Sequence, residues 1–202
     1  MVTIRKANPG DLESIYRITV AAFGPYCIAK LLEDRYGIID NKTWEEHKGG
    51  SVVSACKADI DKVFIAEEDG KVVGYATFGI YLEKGEGEVG NNAVDPDYQG
   101  RGIGTMLIGT VVGHLTDLGL KRILVTTLEH DYPAQRVYEK VGFREISRTV
   151  HYSKMLENGK VETVSAKIDD TKSRARYEKA GFKEITRSIH YHIEQVGRLQ
   201  VV

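Results

Sequence analysis

Apolar and polar residues alternate from Val2 to Ala7, the two-residue period of a half-buried strand. The period then changes. Leu12, Ile15, Tyr16, Thr19 and Phe23 recur at helical spacing behind Asn8-Pro9-Gly10-Asp11. In that start Asn8 suits the cap, Pro9 the first turn and Asp11 the positive end of the dipole. The spacing predicts a first helix of about four turns. Across 24–60, helix formers are interrupted by Gly24-Pro25, Gly37 and Gly49-Gly50, which predicts one or two short helices with loops. Residues 62–68 and 71–82 read as strands joined at Asp69-Gly70, a strong hairpin signal. A bend at Gly85 and Gly87 leads to a third strand over 88–94, stopped by Asp95-Pro96.

Downstream, Ile103, Leu107, Val111, Leu115 and Leu118 form the apolar stripe of a helix that Gly119 is placed to end. Residues 122–128 are rich in Ile, Leu, Val and Thr, which predicts a central strand. A short helix over 131–141 ends at Gly142, and a long strand follows over 143–156. Asn158-Gly159 turns it back into 160–168, where Glu162, Val164, Ala166 and Ile168 share a face. Strands with intervening helices indicate a mixed α/β fold.

One stretch of the pattern occurs twice. Residues 138–152 and 177–191 align without gaps at an offset of 39, with ten of 15 positions identical. This is read as a duplication. Two copies are too few for a solenoid, so a complete domain over 1–168 is expected to carry an extension over 169–202. The extension repeats the helix–strand unit of 131–156. Counting 160–168 as well, the whole strand–helix–strand unit of 122–156 recurs. The second copy is expected to prolong or cover the sheet at an edge left by the first, within the chain or across a two-fold homodimer.

Composition narrows the function classes. The chain has 202 residues, ample for a full core. No apolar run approaches the roughly 18 residues of a spanning helix, and no signal-like stretch precedes the first strand, so no membrane partner is expected. Twenty-eight basic against 29 acidic residues give a net charge of -1, which offers no footprint for nucleic acid. Cys27 and Cys56 are isolated, and neither they nor His130, His151 and His190 have metal-ligand spacing. A cytoplasmic, disulfide-free, metal-free protein is expected.

The candidate chemistry lies at Gln99-Gly100-Arg101-Gly102-Ile103-Gly104, between a strand and a helix. Glycines let successive backbone N–H groups close around phosphate oxygens, and the following helix adds its positive end. The run lacks the third glycine of the dinucleotide fingerprint and the Lys-Ser/Thr of a P-loop. On the loop alone, glycines that only permit close helix–sheet packing fit equally well.

Residues 94–104 resemble the acetyl-CoA signature of the GNAT family of N-acetyltransferases, Gln/Arg-x-x-Gly-x-Gly/Ala, which Gln99, Gly102 and Gly104 satisfy. A second hallmark of that family, a helix carrying Tyr-Glu-Lys and ending Gly-Phe, is matched by Tyr138-Glu139-Lys140 and Gly142-Phe143. The order of elements over 2–168 also resembles the family's sheet. The resemblance implies a mixed, mostly antiparallel sheet flanked by helices and a ternary complex in which acetyl passes directly to a primary amine. Acetyl-CoA, as cosubstrate, would lie on Ala93, Val94, Gln99, Gly100, Arg101, Gly102, Ile103, Gly104 and Thr105. The acceptor would be a small-molecule amine or a peptide N-terminus, in a cleft near Tyr26, Tyr36, Trp44, His47 and Tyr81. The family's cofactor-contacting Asn, seven residues before the tyrosine, is replaced here by Asp131, so that contact is not carried over.

Such a transfer sets chemical demands. An amine of pKa about 10.4 is neutral only about once in 2,500 at pH 7, a cost of about 4.6 kcal/mol that a carboxylate acting through water relieves. Glu88 is the first candidate, with Glu86, Glu83 and Glu129 behind it. Tyr138, with a phenol pKa of about 10, suits protonation of the leaving thiolate. A backbone N–H near Ala93 and Val94 would polarise the thioester oxygen. An acetyl-CoA-binding regulatory or scaffolding module without turnover uses the same loop, and a protein N-terminal acetyltransferase is the nearest enzyme alternative.

Overall fold

The N-terminal alternation folds as β1 (Val2–Lys6), and the Asn8 cap forms, its side chain accepting from the Gly10 amide. The computed structural model describes residues 1–194. A single 3-10 turn over Pro9–Asp11 leads into α1 (Leu12–Phe23). The interrupted region makes two helices, α2 (Ile28–Tyr36) and α3 (Trp44–Ala58). The second is longer than its glycines suggest. Gly49 is there because α1 packs close; a Cβ on it would lie 2.5 Å from the Tyr16 ring.

Next come β2 (Val63–Glu68) and β3 (Lys71–Tyr81), turned by Asp69 and Gly70 at φ 51° and 76°. They are followed by β4 (Glu86–Val94), α4 (Ile103–Asp117), β5 (Arg122–Leu128) and α5 (Tyr132–Val141). The described residues continue through β6 (Arg144–Met155), β7 (Val161–Lys167), α6 (Thr171–Lys179) and β8 (Lys183–Glu194). The third strand starts at Glu86, not Glu88, because pairing with Arg122 begins there. Leu118, expected in the buried stripe of α4, is 50 % exposed: the helix stops at Asp117 and Gly119 (φ 77°) turns the chain away. Ile108, Val112 and Leu120 are buried in its stead.

Among the described residues eight strands form one sheet in the order β1-β2-β3-β4-β5-β8-β6-β7, and of these only β4 and β5 pair in parallel. Ile103, Leu107, Ile108 and Val111 of α4 seal one face with Val73, Phe78, Val89 and Val125. Ile15 and Ile18 of α1 and Val52 and Cys56 of α3 seal the other over Ile65 and Tyr75.

The second copy prolongs the sheet at an edge with its first strand, β7, but its last strand is not at an edge. β8 lies between β5 and β6, hydrogen-bonded to both, with Ile189, Tyr191 and Ile193 buried. Position 39 residues later is the same element throughout, β5 against β7 and β6 against β8. The pairing registers repeat as well: Arg122↔Glu194 through Leu128↔Ser188 becomes Val161↔Met155 through Lys167↔Thr149. Each unit therefore gives its last strand to the other unit's first. The helices repeat too, with Asp131 and Asp170 as N-caps, and Gly142 and Gly181, both at positive φ, turn the chain at their C-terminal ends.

Candidate active site

The site begins where two parallel strands part. β4 pairs with β5 only from Glu86↔Arg122 to Val89↔Val125, while β4 runs on to Val94. Just past that point β4 carries a bulge against β3: Asn92 faces Ala76 and Val89 faces Phe78, so Gly90 and Asn91 oppose Thr77 alone. Gly90 leaves no room for a side chain, since a Cβ there would sit 2.4 Å from the Thr77 hydroxyl oxygen. The extra residue shifts the alternation of side chains. Asn92 is turned to the α5 side, where its amide donates to the Tyr138 hydroxyl at 3.0 Å. Asn91 is turned to the α3 side, where its Oδ1 accepts from Lys48 Nζ at 2.7 Å.

Beyond β4 the chain is held open by its own polar groups. The Asp95 carboxylate accepts from the Asp97 amide and from Arg17 at 2.6 Å, and Gln99 donates to the Val94 carbonyl at 3.0 Å. Gly100 and Gly102 have φ 76° and 81°, and nothing lies within 4 Å of where a Cβ would stand on either. Gly102 begins α4 without a side-chain cap, which leaves the first helical N–H groups free to face an anion. Arg101 points elsewhere, to Glu68 at 2.7 Å and over the Tyr98 ring. Its contribution to the loop is its backbone.

These elements wall a cavity of about 590 Å³, lined by Asn92, Ala93 and Val94, by the glycine loop through Thr105, by Phe23 and Tyr26, and by Asp131, Pro133 and Ala134 of α5. Of the residues expected to hold acetyl-CoA, Ala93, Val94, Gln99, Gly100, Gly102, Ile103, Gly104 and Thr105 line this cavity.

Tyr138 is 3 % exposed and packed against Phe143 and Tyr191. Burial pushes its phenol well above the ordinary range, and the bond from Asn92 opposes that only in part. Because Asn92 is the donor, the hydroxyl proton of Tyr138 stays uncommitted. Asp131 caps α5 through the Ala134 amide and accepts from Thr127 Oγ1 at 2.9 Å. Burial raises its carboxyl, which those two bonds partly offset.

Glu88 is not brought beside Tyr138. It does not line the cavity; it lies on the opposite face of the sheet, accepting from the Tyr81 hydroxyl at 2.8 Å. Glu86 and Glu129 are tied to Arg122 and Arg148. Among the expected acceptor-side aromatics, Tyr26 lines the cavity, Trp44 is buried, Tyr36 bonds Ser153, and His47 bonds the Ile39 carbonyl. Asn92, Lys48 and Thr127 had no signal in the sequence, because a bulge and a strand parting leave no motif. No metal-ligating cluster occurs among the described residues.

Comparison with known proteins gives this geometry a family context. Residues 16–143 match the family described as the acetyltransferase (GNAT) family. A mycothiol acetyltransferase from Thermomonospora curvata is 36 % identical over 154 residues, which is 75 % of this chain and 47 % of that protein. The chain thus spans about half the length of that relative. A Salmonella typhimurium chain assigned as an acetyltransferase and solved with its cofactor acetyl-CoA superposes with TM-score 0.63 at 17 % identity, covering 98 % and 96 % of the two chains. The ribosomal-protein-S18-alanine N-acetyltransferase of Escherichia coli superposes with TM-score 0.59 at 18 % identity, covering 100 % and 99 %.

Proposed function

The chain belongs to the acetyltransferase (GNAT) family, and from that premise we propose that it carries acetyl from acetyl-CoA directly to a primary amine. The observation that carries the reading is the opening between β4 and β5 beside an uncapped, glycine-led α4. Acetyl-CoA supplies an acetyl group already activated as a thioester. Backbone N–H groups from Gly100 to Thr105 hold the pyrophosphate, where glycine removes the side chains that would keep it out. Backbone N–H groups near Ala93 and Val94 face the thioester oxygen as charge builds on it.

Tyr138 gives its proton to the departing sulfur. A buried phenol with a raised pKa stays protonated throughout the working range, and a thiol of pKa about 8.5 is the stronger acid. On its own that transfer runs uphill, so it occurs only together with the breaking C–S bond, and the phenolate left behind regains its proton from water as the products leave. The amine must first lose a proton. Glu88 accepts it through water on the far face of the sheet, the face that also carries Asn91 and Lys48. Phenol and carboxylate on opposite faces of the parted strands keep the two proton transfers apart.

A thiol-release assay tests the reading across monoamines, diamines, amino acids and peptides with free N-termini. Thiol release with any acceptor, and an acetylated product by mass spectrometry, is the expected result. Silence across the whole panel, with acetyl-CoA binding intact by calorimetry, would leave a binding module without turnover.

A further inference from the structure

Lys48 is a charged side chain beside the cavity, on the α3 side of β4, that acetyl transfer itself does not use. It projects from α3, its Nζ lies 4.2 Å from the centroid of the Phe23 ring, and its one hydrogen bond goes to Asn91 Oδ1. An ammonium has three donors, so two are unspent. Among the described residues no carboxylate lies within salt-bridge distance, and the titratable group that faces it is the Cys27 thiol. Lysines ordinarily carry the charge out to water along the stem. This one is drawn inward instead, and burial lowers its pKa accordingly.

Its place gives the charge a meaning. Phe23, under the ammonium, also lines the cavity, and Asn91 immediately precedes Asn92, whose amide holds Tyr138 on the other face. Lys48 thus stands at the parted strands across the sheet from Tyr138. The same face offers Glu88 with the Tyr81 hydroxyl. One cation and one carboxylate beside the opening complement a small molecule that carries both charges. A diamine would instead set an ammonium against Lys48, at a like-charge cost.

We propose that Lys48 seats a carboxylate of the acceptor, so that the amines acetylated are amino acids rather than plain amines or polyamines. This rests on the acetyl-transfer reading above. Acceptor pairs that differ by one carboxylate test it: phenylalanine against phenethylamine, and 6-aminohexanoate against hexylamine, each assayed by thiol release.

The carboxylate member is expected to have the higher kcat/KM by about tenfold or more, carried mainly in KM. Lys48→Met should bring the two members of each pair together, Lys48→Arg should keep the ratio, and Lys48→Glu should turn it toward diamines. Each variant is first checked for acetyl-CoA binding by calorimetry, which reports an intact fold. Equal or faster turnover of the plain amines by the native protein would overturn the proposal, as would an undiminished preference in Lys48→Met. No thiol release with any acceptor would instead sink the acetyl-transfer reading itself.

Discussion

Thr149 on β6 sits directly opposite Ser188 on β8, and Ser188 is the residue that holds Thr149's place 39 positions later. The local two-fold relation between the units therefore passes through this pair. Their neighbours follow it: His151 Nε2 meets Ser188 Oγ at 2.9 Å and His190 Nε2 meets Thr149 Oγ1 at 2.7 Å. Tyr138 packs on Tyr191 as Tyr177 packs on Tyr152, and Arg148 pairs with Glu145 as Arg187 pairs with Glu184. Two units that exchange their last strands bury both, which neither could do alone. The shared histidines are thus fixed in a structural seam, and His190 also bonds the Thr126 hydroxyl through Nδ1 at 3.0 Å.

Because β8 bridges β5 and β6, removing it opens the sheet in its middle. Deleting residues 170–202 would strip the partner from Ile123 and Val125 on one side and Val150 on the other, all buried. We expect no cooperative thermal transition and no acetyl-CoA binding from that truncation. A folded monomer that retains acetyl-CoA affinity would show that 1–168 closes by another route.

Gly102 tests the cradle. At φ 81° a side chain is strained by about 1–2 kcal/mol, and a glutamate would add a like charge where phosphate oxygens belong. Gly102→Glu should weaken acetyl-CoA binding more than about tenfold while the melting temperature falls by about 2–8 °C from the backbone strain alone, since nothing packs within 4 Å of the new Cβ. Unchanged affinity by calorimetry would remove the pyrophosphate from this loop.

The glycine loop and the Tyr138 helix were legible in the sequence because local rules govern them. Phosphate cradles need glycine at fixed positions, and α5 announces itself through Asp131 and Gly142 at its ends. What stayed hidden depends on who pairs with whom. The apolar runs of β5 and β8 require burial without naming a partner, so a central strand was expected at an edge. Gly90 reads in sequence as a weak point in a strand; in the sheet it is the one place where Thr77 forbids a Cβ, and the bulge it permits aims Asn92 and Asn91 apart. Leu118 shows the reverse error, a helical spacing carried one residue beyond the point where Gly119 breaks it.

Tyr138→Phe removes the proposed proton source and keeps the packing against Phe143 and Tyr191. General-acid contributions typically run about 10² to 10⁴, and water substitutes in part, so kcat should fall by about tenfold to a thousandfold with little change in acetyl-CoA affinity. The native protein should show no alkaline loss of kcat from this phenol below about pH 10, because its pKa is raised. Full turnover by the phenylalanine variant would reduce Tyr138 to packing.

Alkaline stability offers a test that is independent of chemistry. Cys56 is 1 % exposed among Ile15, Ile18 and Val63, and burial pushes its thiol up to about 11. In the unfolded chain the thiol ionises near about 8.5. Between those values the folded state keeps a proton that the unfolded state has released, so rising pH favours unfolding. The contribution is complete below pH about 8.5 and is lost progressively toward pH about 11, for a total of about 3 kcal/mol. Tyr75, buried in the same cluster with its phenol raised by burial, adds to the loss only above about pH 10. Cys56→Ala should therefore unfold earlier at pH 7, having lost packing, yet lose less further stability than the native protein between pH 8 and 10. Urea midpoints across that window measure the two slopes, and parallel slopes would mean that the Cys56 thiol ionises as freely in the fold as outside it.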